Sequence, residues 1–367
     1  MRIAIDCRFI GRSINGIGRY NREIVKGLDK NKEINLIIFT NNDIDLELQN
    51  TKIIRIKSKL FSISEQIELP ILLRKVKPDL FHTPSFVSPI IQPCKTIMTI
   101  HDLIHLRFSK DYTLLHKLYY KLIVKTAAKQ ADIIITPSNT SKKDIHTFLG
   151  IDNKKIFVIY HGISENFSPR EDFKNILIKK YNINYDYILY VGNLKTHKNI
   201  NTLIETYCNL IKDGKIKHKL IITYEPNKKI QNFIHNFGIE ENIVFIRDIP
   251  EKDLPYIYSG CSVFVYPSLC EGFGFPPLEA MSCGVPVISS NAFSLPEVLD
   301  FSALTFDPND KNMLYDLIYR VINDDELRRS LIQMGLNHSK KFRWDRTINQ
   351  LIGVYKSLIC SKSKNLC

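Results

Sequence analysis

The chain has 367 residues, 44% of them hydrophobic, and a formal net charge of +13. That length holds two domains with substantial cores, and no apolar run reaches the roughly twenty residues of a membrane-spanning helix. The 8 cysteines contain no C-x-x-C pair, which argues against zinc and for reduced thiols in a cytoplasm. The positive surplus asks for a polyanionic partner. Without zinc-finger spacing or an RNP-type aromatic strand, an anionic membrane surface suits it better than nucleic acid.

The opening apolar run carries Arg2, Asp6 and Arg8, so residues 3–7 are predicted as a first strand and not as a signal peptide. The loop over 11–20 places Gly16, Gly18 and Arg19 ahead of a helix. A Gly-x-Gly turn between strand and helix is a common phosphate-facing device. The third glycine of a dinucleotide fingerprint is missing, which disfavours an oxidoreductase. Strands follow at 36–40 and 53–56, a helix at 63–75, a strand and turn at 80–84, and a strand at 96–100 that runs into His101 and Asp102. His101 ends a strand, where side chains of a parallel sheet reach a ligand crevice; His82 is a weaker candidate on the same edge.

Residues 114–130 are predicted as one helix on which Lys117, Lys121, Lys125 and Lys129 form a stripe flanked by Tyr119 and Tyr120. Lysines with aromatics suit a helix lying on anionic lipid; the alternative is an ordinary solvated face. A strand at 132–136, a helix at 141–149 and a strand at 156–159 complete this half. Residues 166–170 read as a linker, after which strand–helix alternation restarts, the pattern of two doubly wound domains in series.

The second domain opens with a strand at 187–191, followed by Gly192, Asn193 and a helix entered at Lys198. Glycine at a strand end with lysine at a helix start reads as a diphosphate site, the lysine supplying charge and the helix N-terminus supplying donors. Lys195 and His197 are expected in solvent. Strands are predicted at 220–223, 242–246 and 303–306, helices from 249 to 260, at 314–322 and at 325–336, and a final helix opens at 342–345, with a frayed tail from Lys362.

Between these lies SVFVYPSLCEGFGFPPLEAMSCGVPVISS, residues 262–290. Apolar runs at 263–266 and 285–288 read as strands around a glycine-rich loop and a short helix. Pro276 and Pro277 suit a first helical turn, and Gly284 suits a left-handed cap. Gly272 and Gly274 let the backbone approach a ligand closely, beside a helix N-terminus that favours phosphate. Glu271 in the loop and Glu279, expected in the first turn of the helix, would repel phosphate unless they reach something else. Vicinal hydroxyls are the natural partner of a group that only accepts hydrogen bonds. The stretch therefore predicts a ligand with both phosphate and sugar hydroxyls. The alternative is that Glu279 stabilises its helix end and that Glu271 is solvated. Cys270 is expected as a buried or merely neighbouring thiol.

The run from Glu271 through Gly272, Phe273, Gly274 and Phe275 to Glu279 resembles the E-x7-E signature of the retaining, nucleotide-sugar-dependent glycosyltransferases of family 4. The resemblance extends over nearly the whole chain and, within the family, is to bacterial mannosyltransferases of O-antigen synthesis. It implies the α/β GT-B fold, two Rossmann-like doubly wound domains facing an interdomain cleft. Residues 1–168 would form the acceptor-side domain, 169–343 the nucleotide-sugar-binding domain, and 344–367 a helix crossing back to the first domain.

The activity implied is retaining transfer of a hexose to a glycan, a lipid-linked one, in lipopolysaccharide or other surface polysaccharide synthesis. The donor would be GDP-mannose or else a UDP-sugar. The enzyme would be cytoplasmic, peripheral at the inner face of the membrane through the lysine helix. Lys198 and the backbone near Gly16 and Gly274 would stabilise the leaving diphosphate. Asn193, Gly272, Phe273, Gly274 and Phe275 would line the donor, Glu279 would hold its ribose, and Glu271 its sugar hydroxyls without acting as a nucleophile. His101 would lie near the transferred sugar's hydroxyls or the reacting centre, Arg19 would serve phosphate or acceptor, and Asp102 would orient His101 or bind acceptor. Asn193 stands where many members carry arginine, so only part of the usual cationic clamp is present. No metal-binding D-x-D cluster stands in the cleft loops, so no metal is expected, nor any other cofactor. The rivals are a phosphorylase or a sugar-nucleotide epimerase of the same fold, separable by product analysis without acceptor, and a non-catalytic nucleotide-sugar-binding or nucleic-acid-binding protein, the last recognisable by salt-sensitive binding to strands.

Overall fold

The strands of this chain are short apolar runs such as Val263–Tyr266, buried at every position. Strands of that kind belong in a parallel sheet covered on both faces. The computed structural model describes residues 1–11, 16–108 and 113–360. Part of the expected phosphate-facing loop and the tail from Lys362 lie outside the described residues. In chain order the strands are β1 (Arg2–Asp6), β2 (Asn35–Thr40), β3 (Thr51–Arg55), β4 (Leu80–Thr83), β5 (Lys95–Thr99), β6 (Ile133–Thr136) and β7 (Ile156–Val158). Then follow β8 (Tyr187–Tyr190), β9 (Lys219–Ile222), β10 (Ile243–Phe245), β11 (Val263–Tyr266), β12 (Val287–Ser290) and β13 (Leu304–Phe306).

Among the described residues they form two sheets, ordered β3-β2-β1-β4-β5-β6-β7 and β10-β9-β8-β11-β12-β13. All pairings are parallel, as in Ile3 opposite both Leu36 and Leu80, and in Phe264 opposite both Leu189 and Val287. In each sheet the order reverses beside its first strand, β1 in one and β8 in the other. Ligands of doubly wound folds bind at the carboxyl ends of the strands at such a reversal.

The chain divides into two compact units, one of Met1–Gly162 with the segment from Arg343, the other of Ile163–Phe342. The second unit has one continuous core in which Ile163 and Phe167 already take part. The final helix, Trp344–Cys360, packs in the first unit. Its Tyr355 hydroxyl lies 2.6 Å from His82 Nδ1, and Lys95 Nζ donates to the Leu358 carbonyl at 2.7 Å. Gly162 lies so close to this helix start that a Cβ would come within 2.2 Å of Trp344 N. His82 is wholly buried, with Thr99 Oγ1 2.8 Å from Nε2, and so serves the core and not the ligand edge.

Two helices, Phe173–Tyr181 and Lys228–Phe237, were not expected from the sequence. Each buries one or two side chains, Leu177 in the first and Ile230 and Ile234 in the second, so the apolar periodicity is too thin to announce them. The second is bounded by caps, with Asn227 accepting from Ile230 N and Gly238 closing the helix at φ 66°. The expected single helix over 114–130 is interrupted by a π turn at Tyr120–Val124. The wider turn rotates the lysine stripe out of phase: Lys117, Lys121 and Lys129 are exposed, whereas Lys125 is half-buried.

Candidate active site

The reversal in the second sheet brings together the loop after β8 and the loop after β11. A single 3-10 turn, Thr196–Lys198, precedes the helix Ile200–Lys212 and presents Lys198. The lysine ammonium donates to Glu271 Oε1 at 2.6 Å and to the Tyr266 hydroxyl at 2.9 Å. The Tyr266 hydroxyl donates its own hydrogen bond to the same Oε1 at 2.9 Å, and Ser268 Oγ donates to it at 2.5 Å. Glu271 is buried, not solvated. Burial would push its carboxyl up, but the Lys198 ammonium and the two hydroxyls outweigh that and hold it below the ordinary carboxylate range. Oε1 takes all these donors. Oε2 receives no hydrogen bond from the described residues.

The main chain of this site is braced from several sides. Leu269 N donates to the His197 carbonyl at 2.7 Å, which ties the two loops together. Ser294 Oγ donates to the Glu271 carbonyl at 2.6 Å, and Ser290 Oγ donates to the Ser268 carbonyl. The His197 carbonyl is needed for this joint, so His197 is buried where solvent exposure was expected; Lys195 is exposed as expected. Asn193 is half-buried, its carbonyl accepting from the Tyr190 hydroxyl at 2.8 Å and its Oδ1 from Lys195 N at 3.2 Å. Tyr190 stacks on Tyr266 and Tyr266 under Lys198, so one aromatic column backs the ion pair.

The helix after the loop runs Phe275–Ser282, with Pro276 and Pro277 in its first turn. Gly274 caps it at φ 105°, and a Cβ there would meet Leu295 at 2.8 Å, so both backbone and space require glycine. Glu279 is the fifth residue of this helix and so lies in the second turn, not the first. It is buried, and Tyr258 donates to its Oε2 at 3.0 Å. Phe273 was expected beside the donor. Its ring instead belongs to the core, edge-on to Phe275 and Phe342. Cys270 is buried.

In the first unit, His101 follows β5 and keeps company with aromatics that the sequence alone did not single out. Tyr20 lies edge-on at 4.9 Å between ring centres, and His161 lies at 5.1 Å. A carbonyl only accepts, so His101 Nε2–H donates to Pro84 O at 3.1 Å, and bare Nδ1 accepts from His161 Nε2–H at 3.0 Å. These two partners orient the ring; Asp102 does not. Asp102 Oδ1 accepts from Ile104 N at 3.1 Å and starts the next turn. Burial lowers His101 to about 4, against a small rise from the Pro84 carbonyl, so it is neutral near pH 7. Gly16 and Arg19 lie in the first turn of the helix Gly16–Asp29, Gly16 exposed and Arg19 half-buried. The predicted residues thus fall into two groups, Asn193 to Glu279 in the second unit and Gly16, Arg19, His101 and Asp102 in the first.

Two parallel doubly wound units in series are the architecture of the GT-B glycosyltransferases. The comparisons agree. Residues 173–338 match the family "Glycosyl transferases group 1", and residues 14–167 match "Glycosyltransferase Family 4". The chain belongs to these glycosyltransferases. It is 28% identical over 98% of its length to the whole of O-antigen chain mannosyltransferase B of Escherichia coli. It is likewise 28% identical to Serotype-specific mannosyltransferase WbdA of that organism, but spans only 34% of that protein. In structure it is similar to sucrose-phosphate synthase from Thermosynechococcus elongatus, with TM-score 0.80, 20% identity, and 98% and 100% of the two chains covered. It is also similar to Anabaena Alr3699/HepE in complex with UDP and glucose, with TM-score 0.78, 16% identity, and 97% and 100% covered.

Proposed function

We propose that this enzyme transfers a hexose, with retention, from a nucleotide diphosphate sugar to a glycan acceptor in surface polysaccharide synthesis, and that the donor is GDP-mannose. The observation that carries this is the Lys198–Glu271 pair at 2.6 Å at the β8/β11 reversal. It joins a cation to a carboxylate with one oxygen left for a hydroxyl. Two of the three ammonium protons are used within the protein. The third is assigned to a diphosphate oxygen, where charge grows as the glycosidic bond breaks. Glu271 Oε2 accepts from the donor sugar's hydroxyls, and Glu279 is assigned to the ribose. The main chain at Gly272 and Gly274, with Asn193 and Phe275, completes the donor set. The choice of mannose is supported by the name of the full-length relative. Use of a nucleotide sugar is supported by the UDP and glucose bound to a structural neighbour.

In this scheme neither glutamate attacks the sugar. The acceptor hydroxyl approaches from the leaving-group face, and the departing phosphate takes its proton. Gly16 is assigned to the pyrophosphate, Arg19 to phosphate or acceptor, Asp102 to acceptor, and His101 to the transferred sugar as a neutral ring. No metal or other cofactor takes part. No helix among the described residues is long and apolar enough to cross a membrane. A lipid-linked acceptor is reached from the cytoplasmic face of the membrane, through contact of Lys117, Lys121, Lys125 and Lys129 with anionic head groups.

The test is calorimetric binding of GDP-mannose, UDP-glucose and other nucleotide sugars, followed by transfer to lipid-linked glycan. Tight binding of GDP-mannose and anomeric retention in the product are expected. Preference for a UDP-sugar would overturn the donor assignment, and donor conversion without acceptor would point to an epimerase.

A further inference from the structure

The helix Glu65–Val76 reads EQIELPILLRKV and is apolar on two opposite sides. Leu69 and Leu73 turn inward and join a core cluster with Ile56 and Phe81. Ile67 and Ile71 turn outward, 62% and 56% exposed, and Ile63, one turn earlier, is 86% exposed. A helix on the surface of a soluble domain carries polar groups on that side. Single exposed isoleucines need no explanation, but Ile67 and Ile71, one helical turn apart, with Ile63 in the turn just ahead of the helix, put a ridge of three large apolar side chains on one short exposed segment. Phe61 extends it, half exposed and held in the left-handed region at φ 65°.

The ridge adjoins the lysine helix of the same unit. Phe61 packs on Tyr119 at 5.6 Å between ring centres, and the Tyr119 hydroxyl donates to Glu65 at 2.8 Å. Leu118 and Leu122 are exposed beside Lys117 and Lys121. Among the described residues, the exposed charges of segments 57–76 and 113–130 have one sign. Glu65 is buried against Arg8 at 2.8 Å, and Glu68 is occupied by the backbone N–H groups of Lys57 and Ser58. Lys57, Lys59, Arg74 and Lys75 are exposed, and residues 114–130 contain no acidic side chain. An apolar ridge framed by cations, with its carboxylates turned away, complements an anionic bilayer: head groups meet the lysines and acyl chains meet the isoleucines. A second copy of the chain would bring two cationic frames together, which like-charge repulsion disfavours.

We propose that the Ile63–Ile67–Ile71 ridge inserts into the acyl boundary of an anionic membrane, so that binding depends on apolar insertion as well as on lysine charge. This rests on the membrane contact proposed above and is independent of the donor assignment. The full chain is tested with vesicles of phosphatidylcholine and phosphatidylglycerol. Trp344 is the only natural tryptophan and is buried; Ile67→Trp therefore reports insertion, and quenching by brominated acyl chains is expected. Ile67→Glu/Ile71→Glu should weaken vesicle binding by roughly ten-fold or more per isoleucine, with donor binding unchanged as the check on folding. Lys117→Glu/Lys121→Glu should also weaken it, and more steeply at low salt. If the isoleucine variant binds like wild type and tryptophan at 67 is not quenched, insertion is refuted while the head-group contact stands. If the wild type ignores anionic vesicles, both fail. If Ile67→Glu/Ile71→Glu instead converts a dimer to a monomer in ultracentrifugation with vesicle binding intact, the ridge is a self-interface and the proposal is overturned.

Discussion

Replacing Lys198 by methionine keeps the bulk of the side chain and removes its ammonium. Glu271, with its side chain 11% exposed, would then keep only the Tyr266 and Ser268 hydroxyls as donors. Removing one partner of a buried ion pair costs about 3–5 kcal/mol. The two remaining hydroxyls place this case at the lower end, about 3 kcal/mol, a fall in Tm of roughly 6–12 °C for a unit of this size. The pH dependence follows from the same pair. In the wild type the folded carboxyl lies below its ordinary value, so the unfolded state binds more protons between the two. That stability is complete above the ordinary carboxylate range and is lost as pH falls through the folded value. In Lys198→Met the upward push of burial is no longer opposed by the ammonium, so the folded carboxyl rises, this acid-side loss shrinks, and the deficit relative to wild type is largest above the ordinary carboxylate range. Calorimetric unfolding across a pH series checks both effects. A neutral pair, Lys198→Met/Glu271→Leu, should recover much of the stability, because isosteric apolar replacements of buried pairs are often neutral. An unchanged Tm near pH 7, with an unchanged acid profile, would refute the account of the pair.

Further outcomes are expected of the site and its surroundings. Glu271→Gln should lose transfer by about a hundred-fold or more while nucleotide binding is largely kept, and normal turnover would remove Glu271 from the sugar site. Glu279→Ala should weaken nucleotide-sugar binding by roughly ten-fold or more, and unchanged titration heats would reject its ribose role. Turnover should survive excess chelator, whereas a metal-restored loss would bring a cation into the mechanism. Burial lowers His82 to about 3 and His101 to about 4. The unfolded chain therefore binds more protons than the folded one below about pH 6.5, and stability should fall from there toward about pH 4. A flat unfolding profile over that window would contradict the neutral, buried histidines.

Much of the fold was legible because its signals are local. Strands such as residues 220–222 and 263–266 are uninterrupted apolar runs, and Pro276, Pro277 and Gly284 mark both ends of the helix between β11 and β12. The polar helix Lys228–Phe237 was missed for the converse reason, since it buries only Ile230 and Ile234. Strand β12 begins at Val287, later than the apolar run suggested, because Pro286 has no N–H and only its carbonyl meets Phe264. The mismatch at Lys125 has a different origin. A four-residue spacing defines one stripe only while the helix stays regular, and the π turn at Tyr120–Val124 changes the phase.

By itself the sequence determined two rounds of strand and helix, the glycine at position 274, the basic surface and the residue types able to meet phosphate and sugar. Those follow from backbone sterics, hydrophobic periodicity and side-chain chemistry, which act over a few residues. Only the tertiary structure decided that Lys198 and Glu271, far apart along the chain, share a proton network with Tyr266 and Ser268, and that His101 is held by Pro84 and His161 rather than by Asp102. It alone also showed that one isoleucine row of the helix Glu65–Val76 faces outward while its leucines face the core. Such partnerships depend on which strand ends the parallel pairing brings side by side and on which helix side meets the sheet, and neither is encoded at any single position.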